Sequence, residues 1–137
     1  MRSSAAALLG AAALAGCGGS ASSSASGARA TVQRYFAAIA RGRADTACAE
    51  LTEQSRQRLA ELAKTLHAKG AGCPAVMHVV LTSVYGKRLG QFARPRITAL
   101  RVSGGKATAS VDGVDHPLRL IDEDGTWRID FAPTPSD

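Results

Sequence analysis

Apolar residues recur along this chain with two different periods. In residues 28–41, Val32, Tyr35, Phe36 and Ile39 stand at i, i+3, i+4 and i+7, one stripe of a helix, and Gly42 supplies its stop. A second, short helix is expected from Asp45, a suitable N-cap, through Cys48 and Leu51. Thr52 and Ser55, followed by Leu59, Leu62 and Leu66, predict a third helix capped by Thr52 and ending before Gly70. Two signals compete over residues 74–85. The β-branched Val76, Val79, Val80, Thr82 and Val84 favour a strand. Pro74 suits the first position of a helix, Gly86 its end, and Val76, Val79, Val80 and Val84 share a helical face, so the helical reading is preferred.

From residue 95 the period drops to two. Residues 95–103 are β-rich, Ala107, Ala109 and Val111 alternate with polar residues, and so do His116, Leu118 and Leu120 with their neighbours, then Trp127, Ile129 and Phe131. Gly104-Gly105, Asp112-Gly113 and Asp124-Gly125 mark the turns between them, which predicts a four-stranded antiparallel meander. Pro117 cannot donate to a ladder, so its strand should lie at an edge or carry a bulge there. Helices first and sheet second is the α+β arrangement.

The N-terminus reads as an address. Met1-Arg2 is followed by the apolar run 5–15, broken only by Gly10. At about 1.5 Å per helical residue this run spans roughly half of a ~30 Å hydrocarbon core, too short to cross a bilayer and suited to a secretory signal. It ends in Leu14-Ala15-Gly16-Cys17, which resembles the lipobox of bacterial lipoproteins. That resemblance implies removal of residues 1–16, acylation of Cys17, and attachment to the extracytoplasmic face of a cell membrane. Residues 17–27 (the acylated cysteine and a Gly/Ser-rich stretch) are expected to form a coil tether, with end-to-end distance of about 17 Å for ten residues. Residues 28–132 then form a single domain, and residues 133–137 a polar tail.

The helix carrying Val32, Tyr35-Phe36-Ala37-Ala38-Ile39, the Arg/Gly/Asp break after it, Ala47-Cys48, Leu51-Thr52 and the ending Asp124-Gly125-Thr126-Trp127-Arg128-Ile129-Asp130 resemble small secreted members of the nuclear-transport-factor-2-like superfamily. The resemblance covers roughly residues 30–131 and implies a curved antiparallel sheet wrapped around helices into a cone. Its members include isomerases, dehydratases, cyclases, ligand binders and adaptors, so the fold does not dictate the activity.

Composition narrows the options. The 137 residues are 45% hydrophobic and 4% aromatic, with a formal net charge of +6, which excludes a disordered chain and a multispanning membrane protein. Loss of residues 1–16 leaves 16 Lys+Arg against 11 Asp+Glu, a balance that suits either an anionic surface or a solvated face. With Cys17 acylated, Cys48 and Cys73 remain as an even pair in an oxidising compartment, and a disulfide is preferred over a reactive thiol or a metal site.

The candidates for chemistry are few. An acid/base set inside the implied cone could draw only on Tyr35, Tyr85, His78, Asp112 and His116. Each has a plainer reading as a packed, turn or core-edge residue. No His, Cys or carboxylate spacing suggests a metal site, and no cofactor motif is present. Lys87-Arg88 with Arg94 and Arg96, and Arg41 with Arg43, are the basic clusters. Only Phe92 is interleaved with them, which argues against nucleic acid and for anionic lipid or wall polymer. The expectation is a membrane-anchored, non-enzymatic domain binding a protein or small apolar ligand. The alternative is a small isomerase-, dehydratase- or cyclase-like enzyme using the same cone.

Overall fold

The computed structural model describes residues 20–131, so Cys17 and the proposed signal lie outside the described residues, as do residues 132–137. Five helices precede four strands. They are α1 (Ser20–Ala40), α2 (Ala44–Ala49), α3 (Glu53–Thr65), α4 (Gly72–Thr82) and α5 (Val84–Leu89), followed by a 3-10 turn (Gly90–Phe92). β1 (Ile97–Ser103), β2 (Lys106–Val111), β3 (Leu118–Glu123) and β4 (Thr126–Asp130) form one antiparallel sheet in sequence order. Helices packed on a four-stranded antiparallel sheet make this an α+β fold.

The first stripe is as the spacing requires. Ala28, Val32, Tyr35, Phe36 and Ile39 are buried in the main core with Leu51, Leu120, Trp127 and Ile129. Ala107 and Ala109 on β2 belong to the same core, and their small side chains leave room for α1. Gly42 has φ +66, its N–H reaches the Ile39 carbonyl (3.1 Å), and Arg43 N–H reaches that of Ala38 (2.9 Å), closing the helix in a Schellman turn.

α1 starts earlier than expected. Of the predicted coil tether, residues 20–27 are helical. At Gly27 the helix passes close to the sheet, and a Cβ there would stand 2.9 Å from Trp127 Cδ1. What reads as linker glycine is a contact surface that lets the helix lie against the indole. Thr31 then fastens the helix to the sheet by donating its hydroxyl to the Trp127 carbonyl (2.9 Å).

The segment at 74–85 is helical up to Thr82, and Ser83 breaks it by turning extended (ψ 168°) and capping α5. Gly86 is therefore not the helix stop. It sits inside α5, where a Cβ would collide with the Val80 carbonyl oxygen. On α3 the buried face is Ser55 and Ala63 with Leu59 half-buried between them, whereas Leu62 and Leu66 are 41% and 54% exposed. α4 packs along this helix with the small Ala63 and Ala75 in one shared cluster, and the start of α3 meets the end of β4 through Ser55 and Asp130.

In the sheet, β3 begins at Leu118, so Pro117 falls just outside a strand that is central rather than an edge. Its missing donor costs no ladder bond, because the β2–β3 pairing starts at Ala109–Leu118. β4 is an edge strand, covered by residues 50–52: Thr52 N–H donates to the Ile129 carbonyl (2.9 Å) and Ile129 N–H to that of Glu50 (2.8 Å). Trp127 and Ile129 are buried as predicted. Phe131 lies beyond the strand end and is 44% exposed.

Candidate functional site

The buried pair Cys48 and Cys73 is a disulfide with a Cα–Cα distance of 6.1 Å. It ties the six-residue α2 to the start of α4 and thereby fixes the helical wall that faces the sheet. One turn further along α4, Val76 and Met77 enter the inner part of a cleft.

The inner lobe of that cleft has a volume of about 190 Å³ and is walled by Tyr35 and Phe36 of α1, Leu59 of α3, Val76, Met77 and Val80 of α4, and Val114, Leu118 and Phe131 from the sheet side. Every one of these is apolar except for the phenol oxygen of Tyr35. Edge-to-face aromatic contacts stiffen the wall: Tyr35 meets Phe36 at 5.4 Å and Phe131 at 6.0 Å, and Phe36 meets Phe92 at 6.2 Å. An outer lobe of about 630 Å³ shares Val114, Leu118 and Phe131 and adds Arg88, Gln91, Asp115, His116, Arg119 and Asp130. The cleft therefore passes from a greasy interior to a polar mouth.

Asp130 is the buried acid of this site. Its carboxylate accepts from Arg119 Nη2 (3.2 Å) on one oxygen and lies within reach of the Thr52 (3.2 Å) and Ser55 (3.3 Å) hydroxyls on the other. Each hydroxyl has one proton, so one consistent chain runs from Thr52 Oγ to Ser55 Oγ (2.8 Å) and from there to Asp130, while Phe131 N–H donates to Ser55 Oγ (2.8 Å). Thr52 also takes Ser55 N–H as the cap of α3, as its position predicts. One side chain thus serves the helix end and the acid. Outside the cleft lining, buried Glu50 holds Arg34 through both oxygens (2.9 and 3.2 Å).

The sequence candidates are not gathered at one point. Tyr35 is buried in the inner wall, and His116 is exposed at the mouth. His78 is exposed on α4, contrary to its expected place among apolar neighbours, because α4 turns Cys73, Ala75, Val76 and Met77 inward. Asp112 is exposed, with its backbone N–H on the Arg96 carbonyl (2.9 Å), and lines neither lobe. The backbone of Tyr85 lies in α5, and its side chain is outside the described part. Sequence reasoning missed Arg119, Asp130 and Met77, and took Arg88 as part of a basic cluster without placing it at the cleft. A usable sign was Thr52-x-x-Ser55, two hydroxyls on one side of a helix start that call for a polar partner.

Among the described residues no cluster of three or more His, Cys, Asp or Glu could hold a metal, and no helix is long and apolar enough to cross a membrane. No protein-family model matches the chain, no curated protein matches it, and no solved structure matches its fold.

Proposed function

We propose that this is a lipid-anchored lipoprotein on the extracytoplasmic face of a cell membrane, whose domain is a nuclear-transport-factor-2-like cone that binds a small apolar-ended molecule without transforming it. The observation that carries the binding role is the cleft between helices and sheet, apolar inside and polar at its mouth. Asp130 supports binding over catalysis. A general base must present a lone pair to its substrate, and this carboxylate is surrounded by Arg119, Thr52 and Ser55. The anchor rests on Leu14-Ala15-Gly16-Cys17 following an apolar run, and two or more acyl chains suffice for stable attachment. Arg41, Arg43, Lys87, Arg94 and Arg96 are exposed and suit contact with anionic lipid or wall polymer.

Two measurements test this reading. In a Triton X-114 extract of a bacterial host, the wild-type chain should enter the detergent phase and a Cys17→Ala variant the aqueous phase. Native mass spectrometry of the purified protein should show a one-to-one complex with a small apolar probe. Equal partitioning of the two chains would remove the anchor, and failure to hold any probe would remove the binding role.

A further inference from the structure

We propose that the cleft selects single-chain amphiphiles of about six to eight carbons bearing an anionic head, with the tail in the inner lobe and the head beside Arg88. This rests on the binding role given above and adds the class of ligand. The tail length follows from volume. An apolar cavity of about 150 Å³ accommodates one benzene ring, so 190 Å³ takes one ring or a chain of about that length. The long acyl chains of a membrane phospholipid exceed it. Because Val114, Leu118 and Phe131 line both lobes, the far end of such a molecule must emerge among the polar groups of the mouth.

The sign of the head follows from charge. From Leu62 to Val111 the chain contains no Asp or Glu, but carries Lys64, Lys69, Lys87, Arg88, Arg94, Arg96, Arg101 and Lys106. Within that stretch α4, α5 and the 3-10 turn line the cleft, and the exposed Lys87, Arg94 and Arg96 flank the lining residues Arg88 and Phe92 along the chain. At the mouth itself, Asp130 is matched by Arg119. Arg88 is exposed and forms no ion pair among the described residues. Asp115 is the remaining carboxylate that lines the mouth, with His116 beside it; Lys87, Arg88, Arg94 and Arg96 outnumber Asp112 and Asp115 among the lining residues and their close neighbours along the chain.

The test titrates octanoate, 1-octanol and octylammonium, each below its micelle concentration, into the full chain carrying Cys17→Ala, so that no lipid is attached. Octanoate should bind about two- to fivefold more tightly than octanol at low ionic strength, within the span of an exposed charge pair. Octylammonium should bind most weakly, and about 0.5 M salt should erase the differences. Arg88→Gln, a change at an exposed position, should reduce the preference for octanoate over octanol to less than twofold. Equal affinities, a preference for octylammonium, or an octanoate preference that survives Arg88→Gln would overturn the selectivity and leave the binding role standing. Co-sedimentation with anionic phospholipid vesicles without binding of free octanoate would overturn it too, assigning the basic flank to a membrane surface. If none of the three amphiphiles binds, the binding role falls with it.

Discussion

The bridge between Cys48 and Cys73 offers a quantitative test of how the cleft is held. Replacing both cysteines by alanine opens a loop with a sequence separation of 25 residues. The chain-entropy relation for a closed loop of that size gives about 3.5 kcal/mol of lost stability at 25 °C. Little else compensates for the loss, because α2 has six residues and a helix so short does not persist without tertiary support. For a domain of this length the loss corresponds to roughly 12–18 °C in Tm. Thermal melts followed by circular dichroism should show that drop in the double variant, and wild-type protein in excess reductant should fall to the same value. The variant should also bind an apolar fluorophore more weakly, since Val76 and Met77 stand one turn beyond Cys73. A loss below about 1 kcal/mol would refute the reasoning. It would mean that α2 and α4 are held in place by packing alone.

Three further changes probe other parts of the fold. Trp127→Ala should cost about 3–5 kcal/mol in guanidinium unfolding, because the indole is buried against Gly27 and beneath α1; an unchanged midpoint would take Trp127 out of the core. Thr52→Ala should cost about 1–2 kcal/mol, removing a helix cap and a hydroxyl next to Asp130, and Thr52→Ser should restore most of it. Val114→Trp places an indole where the two lobes meet and should weaken binding of an apolar probe at least tenfold with the far-ultraviolet spectrum unchanged; retained affinity would place the probe elsewhere.

Local patterns carried most of the fold. The stripe on α1, the three turn dipeptides and the alternation on β2 each combine a strong period with the right punctuation, and the stripe, the turns and the strand stand at those residues, although α1 itself begins earlier, at Ser20. The misreadings have a common cause, which is that the surroundings set by the whole fold, and not the local pattern, decided the outcome. Gly27 reads as linker until Trp127, one hundred residues later, is laid against it. Leu62 and Leu66 continue an apolar spacing, yet no second layer covers them, and the buried face shifts to Ser55, Leu59 and Ala63. Phe131 prolongs the alternation of β4 past the point where the strand ends.

The site was less legible than the fold for the same reason. Its inner wall draws on α1, α3, α4 and the sheet, so Met77, Val80 and Val114 look like ordinary core residues until those elements converge. Asp130 reads as the solvent-facing partner in an alternating strand. It is buried because the start of α3 covers that side and supplies Thr52 and Ser55 to meet the charge. Titratable residues that stand out in the sequence, His78 and Asp112 among them, are those that the fold leaves at the surface.

The central claim, that an apolar-ended molecule enters the space between helices and sheet, is most directly tested by methyl nuclear magnetic resonance during titration with octanoate. The methyl signals of Val76, Met77, Val80, Val114 and Leu118 should move together, saturating at one equivalent. Movement confined to Leu62, Leu66 and Val79, the exposed apolar residues on the outer face of α3 and α4, would contradict the account and put the ligand on the surface.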